Sequence, residues 1–351
     1  MLTHKHYVPI LKGKRAEFPA LGALKSNKLV TPLMEAVPSA DPDEIPRRMA
    51  AKAKWPTEKP YFIDFFFLDD EDDITTPASS KHPIRVCFEE VAKKKQTAIP
   101  VTGLSRSPGY QSGVQQVVAE QKRGVAVRLV PDDFEEGSDD LEATLNALLK
   151  LFKVKANEVD LIIDAGSVSA SSGGAVAQMY RASVDLIPHV EDWRTLTTAA
   201  SAFPLGLAQL IRDKWNVWNR HEWRGWKQLV TGKIPPSRMP AYGDYTIATP
   251  ELPPSGRATI LAQLRYAIAD SWLIWKGGNV FKHPKKFGQF FDICKDLVKK
   301  SEYRGKNFSD GDSEIQQKAA NLGSSGNAER WRQIGTNHHI ETVLEQIANL
   351  P

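Results

Sequence analysis

Four carboxylate residues at or near the ends of apolar segments are the first candidates for chemistry. Hard divalent cations prefer oxygen ligands, and a cation held by carboxylates can activate water against a phosphodiester. We therefore predict Glu35 and Asp164 as metal ligands for Mg²⁺ or Mn²⁺, and we add Asp244 to these two as a candidate catalytic residue. The complete set is Glu35, Asp64, Asp164 and Asp244.

The same carboxylates have a simpler interpretation. Acids at strand ends can pair with basic side chains and cap neighbouring helices, and Lys12, Arg106 and Arg128 are available as partners. The direction of Asp64 depends on the alternation of its strand, because successive side chains point to opposite faces. Catalysis and ion pairing therefore both stay open from the sequence alone.

Basic residues in similar positions predict an anion site. Guanidinium groups match the geometry of phosphate oxygens, and lysine supplies a compact positive charge. Together with nearby hydroxyl groups these residues are candidates for binding a nucleotide or nucleic acid, the alternative being ordinary solvated turns. The candidate ligand-binding residues are Lys12, Lys14, Arg106, Arg128, Ser201, Tyr245 and Arg265.

Two adjacent histidines, His338 and His339, lie in a segment with a helical pattern. Neighbouring helical residues point about 100° apart, so the pair is poorly placed to bind one metal ion. We predict His339 as a candidate acid or base, with a structural histidine as the alternative. No decisive motif accompanies it: His221 lacks the second histidine of H-E-x-x-H, and residues 166–174 lack the P-loop lysine.

Eight apolar strand segments alternate with helical patterns, and each connection is long enough for a crossover between parallel strands. Eight strands over about 250 residues favour an α/β fold of the (β/α)8 TIM-barrel type, whose strand ends converge on one mouth. An open doubly wound sheet is the alternative, although no G-x-G-x-x-G follows the first strand. The predicted strands are residues 7–11, 29–35, 61–68, 98–102, 124–130, 159–168, 193–199 and 243–248.

The regular alternation ends near Pro250, so we predict a barrel over residues 1–250 and an α-rich appendage over residues 251–351. Residues 258–268 and 271–275 indicate a hairpin in this appendage. A terminal helix is predicted over residues 328–350, interrupted near Gly335.

Four tryptophans fall within residues 206–229, which we predict as one long helix. Basic residues lie among them, and tryptophan and arginine are common both at protein interfaces and on surfaces that bind single-stranded nucleic acid. Packing between a helix and the barrel is the alternative. The candidate partner surface consists of Trp215, Trp218, Trp223 and Trp226.

Composition sets broad limits on function. The formal net charge of +4 over 351 residues permits anionic partners without demanding them. The two cysteines, Cys87 and Cys294, exclude a disulfide framework and a thiolate metal site. No apolar run approaches the roughly 20 residues that span a membrane, and the first residues lack the apolar segment of a signal peptide. We expect a cytoplasmic protein without membrane contact.

Five short motifs occur in order along nearly the whole chain. They are YVPILKGK at residues 7–14, TPLME at 31–35, GDY at 243–245, LRY at 264–266 and NHHI at 337–340. This ordered set resembles the "beta protein" family of phages and bacteria. The resemblance implies an association with phages or with anti-phage defence, and it supplies no established catalytic residues.

These observations predict a barrel protein that recognises a phosphate-containing ligand, a nucleotide or nucleic acid. With a divalent cation it would be a phosphodiester hydrolase. The alternative is a non-catalytic protein that binds a host or phage protein or nucleic acid. The sequence leaves open whether the chain is an enzyme.

Overall fold

The computed structural model describes residues 3–50, 55–69, 81–135, 137–206, 208–252 and 259–351. Strands alternate with helices over the first two thirds of the chain. The strands are β1 (Tyr7–Leu11), β2 (Leu33–Glu35), β3 (Pro60–Asp64), β4 (Thr97–Thr102), β5 (Val125–Leu129), β6 (Val159–Ser167), β7 (Thr195–Ser201), β8 (Trp215–Asn219), β9 (Ala241–Asp244), β10 (Leu261–Ala267) and β11 (Ser271–Asn279).

Several helices begin at a side chain that accepts a backbone N–H, because the first turn leaves such donors without partners. Ser107, Ser172, Ser309 and Asn327 each cap the helix that begins at the next residue in this way. The helices are α1 (Glu17–Gly22), α2 (Glu44–Met49), α3 (Pro83–Lys93), α4 (Pro108–Gln121), α5 (Ser138–Phe152), α6 (Gly173–Asp185), α7 (His221–Thr231), α8 (Gln289–Leu297), α9 (Asp310–Ala319) and α10 (Ala328–Ala348).

Eight strands form a closed barrel in the order β1-β2-β3-β4-β5-β6-β7-β9, and every neighbouring pair is parallel. The predicted (β/α)8 architecture is therefore confirmed, and the alternative of an open doubly wound sheet is wrong. Closure depends on the last strand: β9 pairs with β7 on one side and with β1 on the other, where Val8 faces Gly243.

Apolar residues pack on both faces of the barrel strands. An inner cluster inside the barrel includes Val8, Ile10, Phe62 and Ile162, while a larger outer cluster lies between strands and helices. Because side chains alternate along a strand, each inner residue is followed two positions later by another inward residue. This alternation decides which polar residues reach the mouth.

A second sheet has the order β10-β11-β8, and its pairs are antiparallel. Strands β10 and β11 lie in the predicted appendage, whereas β8 comes from the segment between β7 and β9. The predicted hairpin is confirmed as β10 and β11. The predicted long helix over residues 206–229 is wrong in its first half, because Trp215–Asn219 forms the strand β8 and pairs with β11 through Trp218 and Trp272. Among the described residues of this segment, the α-helical ones belong to α7, His221–Thr231.

Helix α10 runs without a break from Ala328 to Ala348, so the predicted interruption near Gly335 is wrong. The glycine serves close packing instead. A Cβ at Gly335 would lie 2.8 Å from the Cδ1 of Ile247 and 3.0 Å from the carbonyl oxygen of Arg265. The missing side chain thus lets the terminal helix approach β10 and the barrel.

Candidate functional site

Polar side chains gather at the C-terminal mouth of the barrel because they continue the inward alternation of their strands. Leu33, Phe62, Ala126 and Ile162 belong to the inner cluster, and two residues after each of them stands a polar residue at the strand end. Those polar residues are Glu35, Asp64, Arg128 and Asp164, and all of them are buried.

Arg128 is the centre of this group. Its Nε donates to the Oδ2 of Asp164 at 2.9 Å, and its Nη1 donates to Glu35 Oε1 and Asp64 Oδ2, each at 2.8 Å. Its Nη2 donates to Asp164 at 2.5 Å and also contacts the hydroxyl of Tyr245. One guanidinium group therefore holds three carboxylates from three different strands.

Two further cations complete this mouth cluster. Lys12 Nζ lies 2.7 Å from Glu35 Oε2, and Arg106 Nη2 lies 3.1 Å from Asp64 Oδ1. With Arg128, three positive charges face three carboxylates. This arrangement agrees with the ion-pairing interpretation of the acids. Attraction between the opposite charges offsets the cost of removing them from water.

The electrostatics of the mouth cluster keep Arg128 charged. Burial alone would lower the pKa of Arg128, but Tyr245 and the carboxylates of Asp164, Glu35 and Asp64 outweigh burial and raise it. Burial raises the pKa of Tyr245, so its hydroxyl keeps a proton and donates to Asp164 at 2.5 Å. Within the cluster, Arg128 is therefore charged and Tyr245 is neutral at neutral pH.

No three His, Cys, Asp or Glu side chains within the described ranges are grouped so that they could hold a metal ion. The carboxylate oxygens of Glu35 accept hydrogen bonds from Lys12 and Arg128, and those of Asp164 accept one from Tyr245. A divalent cation at Glu35 and Asp164 stays a prediction, since it would have to compete with these partners.

Asp244, at the end of β9, lies in a second buried group. Its carboxylate accepts hydrogen bonds from Tyr7 Oη at 2.5 Å, Tyr242 Oη at 2.9 Å and His339 Nε2 at 2.7 Å. Burial alone would raise the pKa of Asp244, but His339, Arg220 and Tyr7 lower it to about 2. The carboxylate is thus ionised across the ordinary pH range.

His339 is fully buried and is held by two partners of opposite kind. Its Nε2 faces the carboxylate of Asp244, and its Nδ1 lies 3.3 Å from the indole Nε1 of Trp272, which can only donate. Burial lowers the pKa of His339 despite the nearby carboxylate. The neutral imidazole, with its proton on Nε2, satisfies both contacts. His339 and Asp244 therefore form a buried pair, and their predicted catalytic role stays a prediction.

The sequence reasoning missed Arg220 and Glu222, which adjoin this pair. Arg220 Nε lies 3.6 Å from Glu222 Oε1, and its Nη2 lies 3.8 Å from Asp244 Oδ2. Burial raises the pKa of Glu222 to about 8, with Arg220 opposing that change. Arg220 and Glu222 lie one and three residues after β8, at the start of α7, and the expectation of one long helix hid this helix start.

A separate, solvent-facing pocket beside the mouth cluster has an excess of positive charge. It has a volume of about 320 Å³, and Glu251 is the only carboxylate among its lining residues within the described ranges. Three of its basic residues, Lys12, Lys14 and Arg265, were predicted as ligand-binding, and the fourth, Arg332, was missed. We call this the anion pocket; its basic residues are Lys12, Lys14, Arg265 and Arg332.

Arg332 could have been found from the sequence, because it lies three and seven residues before Gly335 and His339 on α10. Residues at such spacing share one helix face, and that face contacts the barrel. Within the described ranges, Arg332 has an ion-pair contact with Glu17, at 3.9 Å. Arg332 therefore reaches the pocket from the far end of the chain.

Arg265 and Lys14 have no carboxylate within ion-pair distance in the described part of the chain. The guanidinium of Arg265 donates to the backbone oxygen of Ile247 at 2.5 Å and to Gln263 at 2.9 Å. Burial and the charge of Arg332 lower the pKa of Arg265 to about 9. Burial lowers the pKa of Lys14, and Arg332 lowers it further. These cations repel one another where no anion is bound.

Ser201 and Arg106 take structural contacts. Ser201 Oγ donates to the oxygen of Ala248 at 2.8 Å and accepts from the N–H of Phe203 at 3.1 Å, so it stabilises the turn after β7. Arg106 belongs to the mouth cluster through Asp64. Neither residue lines the anion pocket, and their predicted contact with a ligand stays a prediction.

The four tryptophans divide into two pairs. Trp223 and Trp226 on α7 are buried, and the indole of Trp226 donates to Pro240 at 3.1 Å. Trp215 and Trp218 on β8 are partly exposed, with Trp215 donating to Asp296 at 2.6 Å and Trp218 to Ala202 at 2.7 Å. A protein partner at these residues stays a prediction.

No helix in the described part of the chain is long and apolar enough to cross a membrane.

Comparisons with known proteins place the chain in a family. No curated protein and no solved structure gives a significant match. A family model described as Beta protein matches residues 7–345, which is nearly the whole chain. The chain therefore belongs to the Beta protein family.

Proposed function

We propose that this barrel recognises a phosphate-containing ligand, a nucleotide or nucleic acid, whose phosphate lies in the anion pocket. The observation that carries the proposal is the convergence of Lys12, Lys14, Arg265 and Arg332 on one pocket with a single lining carboxylate. A bound phosphate would offset their mutual repulsion and offer oxygens to guanidinium forks. The pocket volume of about 320 Å³ lies within the range of small-molecule sites.

The position of the pocket agrees with the general rule that barrels build function at the C-terminal mouth. Lys12 connects it to the mouth cluster, since its Nζ contacts both Glu35 and the backbone oxygen of Pro250. Its ammonium also lies 4.4 Å from the ring centroid of Phe67. Lys12 is therefore held in place before a ligand arrives, which reduces the entropic cost of binding.

The proposal concerns recognition without a chemical step. Glu35, Asp64 and Asp164 have basic partners, so a carboxylate free to act as a general base is what hydrolysis would still need. Metal-assisted hydrolysis stays a prediction, as do a protein partner and the association with phages or defence that the family resemblance implies.

Isothermal titration calorimetry with inorganic phosphate and thymidine 5′-monophosphate tests the proposal. We expect both ligands to bind, and Arg265→Gln to weaken both by about 10- to 100-fold, the worth of a charge-assisted hydrogen bond. Lys150→Gln, which removes a charge from an exposed position on α5, is the matched control and should bind as the unchanged protein does. Equal affinity for Arg265→Gln and Lys150→Gln, or no heat with either ligand, would refute the proposal.

A further inference from the structure

The anion pocket does not stand alone, because a second basic pocket adjoins it. This middle pocket has a volume of about 380 Å³ and shares Lys14 and Arg332 with the anion pocket. It adds two further arginines, Arg15 and Arg48, and its one lining carboxylate is Glu329. Two adjoining pockets thus present overlapping groups of positive charge: Lys12 and Arg265 line only the anion pocket, and Arg15 and Arg48 line only the middle pocket.

The series continues into a third pocket of about 910 Å³, which shares Arg15 and Arg48 with the middle pocket. Each pair of neighbouring pockets therefore shares two basic residues. Lys14, shared by the anion pocket and the middle pocket, is followed directly by Arg15, shared by the middle pocket and the third pocket. Their Cα atoms are about 3.8 Å apart, so the two shared boundaries are adjacent.

The cations of the middle pocket are weakly paired. Arg15 is 71% exposed and meets Glu44 only at 3.5 Å, an interaction that contributes little to stability. Arg48 donates from Nη2 to the backbone oxygen of Val37 at 3.3 Å, while its buried Nε has no hydrogen-bond partner. Within the described ranges, neither guanidinium group has a carboxylate closer than 3.5 Å.

Basic residues outnumber acidic residues along these two pockets. Within the described ranges, the residues that line the anion pocket and the middle pocket include six basic side chains and two carboxylates. Three further acids, Glu35, Glu17 and Glu44, lie outside the lining at 2.7, 3.9 and 3.5 Å from Lys12, Arg332 and Arg15. A ligand with a single phosphate would use one group of cations, whereas a ligand with consecutive phosphates would use both.

We infer that the ligand is a single strand of nucleic acid, with consecutive phosphates in the anion pocket and in the middle pocket. The inference rests on the proposed function and names its ligand class. Apolar lining residues favour nucleic acid over inorganic polyphosphate, because sugars and bases have apolar surfaces to bury. Leu205, which is 62% exposed, and Leu252 line the anion pocket, and Val37 and Pro38 line the middle pocket.

Fluorescence anisotropy with 5′-phosphorylated oligothymidylates of one to eight nucleotides tests the inference. Affinity should rise from the mononucleotide to the first oligomers and should fall with salt, with a slope of about 0.7 per phosphate contact. The double variant Arg15→Gln with Arg48→Gln should lose about 0.7 from that slope. Lys150→Gln is again the control and should keep it.

Inorganic phosphate, titrated in parallel, separates this inference from the proposed function. It should bind the double variant as tightly as the unchanged protein, since neither arginine lines the anion pocket. The assignment to a strand of nucleic acid would be wrong if oligomers bind no tighter than the mononucleotide, or if the double variant has an unchanged salt slope. Phosphate binding in the anion pocket could still be correct in both cases. Equal competition by polyphosphate or oligoglutamate would overturn the assignment to nucleic acid. Failure of phosphate itself would remove the proposed function as well.

Discussion

Replacement of Arg128 by methionine tests the mouth cluster most severely. The change removes the guanidinium group that donates to Asp164, Glu35 and Asp64 while it keeps an unbranched apolar side chain. Two of these acids retain a cation, because Glu35 keeps Lys12 and Asp64 keeps Arg106. Only one acid is then left without a positive partner.

That acid is Asp164, which keeps the hydroxyl of Tyr245 and the N–H of Gly166 at 3.0 Å. Breaking a buried ion pair from one side costs about 3–5 kcal/mol. We therefore expect Arg128→Met to lower the free energy of unfolding by that amount, a large share of the roughly 5–15 kcal/mol of a typical domain.

Urea unfolding followed by tryptophan fluorescence measures this loss. The matched control is Arg194→Met, which breaks a two-bond pair with Asp160 at 2.6 and 2.9 Å that is partly open to solvent. Its cost should be smaller, because water can take over part of the contact. Adding Asp164→Asn to Arg128→Met should restore part of the stability, with a coupling energy of about 0.5–3 kcal/mol.

Two results would show that Arg128 does not stabilise the mouth cluster. One is a loss for Arg128→Met no larger than that for Arg194→Met, which would mean that the buried carboxylates do not depend on their central cation. The other is independence of Arg128→Met and Asp164→Asn in the double-mutant cycle. If Arg128→Met does not fold, Arg128→Lys should fold with an intermediate loss, since lysine keeps the charge but cannot form the fork.

Three further changes test the second buried group and barrel closure. The pKa of Glu222 is raised to about 8, so its contribution to stability is complete below a pH of about 4.5 and is lost as the pH rises through 8. The loss is on the order of 5 kcal/mol. Glu222→Gln should remove this pH dependence, as measured by urea unfolding between about pH 5 and 9. The pKa of Asp244 is lowered to about 2, so its contribution to stability is present above a pH of about 4 and is lost as the pH falls through 2. Asp244→Asn should abolish this contribution, about 2 kcal/mol, as measured by acid titrations of ellipticity. Gly243→Ala should lower the melting temperature, because its Cβ would lie 2.8 Å from that of Ala199, and overpacking typically costs about 1–3 kcal/mol. Unchanged pH profiles in the first two variants, or an unchanged melting temperature in the third, would contradict these contacts.

Much of the barrel was predictable because local patterns and global fold agree. Apolar segments of strand length recur with helices between them, and this alternation permits few architectures. The inward direction of Asp64 follows once Phe62 is placed in the inner cluster, since side chains two apart share a face. The mouth residues could therefore be named from strand ends alone.

The partners of these residues could not be named in the same way. Arg128 and Glu35 lie 93 residues apart, and Asp244 meets His339 across 95 residues. Such contacts depend on barrel closure and on the packing of α10, which no local pattern specifies. The choice between free carboxylates and ion-paired carboxylates therefore needed the three-dimensional arrangement.

The error at β8 has a clear physical origin. Tryptophans spaced three and eight residues apart fit a helix face, although Asp213, a turn residue with a φ of 55°, lies just before the strand. Pairing with β11, which is distant in sequence, decides its conformation. Tertiary contacts here override a short periodic signal.

A crystal soaked with tungstate tests anion binding in the anion pocket, because this tetrahedral anion resembles phosphate and can be located by its anomalous scattering. We expect a peak in the anion pocket, with oxygens at about 3 Å from the side chains of Lys14, Arg265 and Arg332. We also expect the peak to disappear when inorganic phosphate is added in excess. An empty anion pocket, with tungstate bound elsewhere on the protein, would show that these cations do not form a phosphate site.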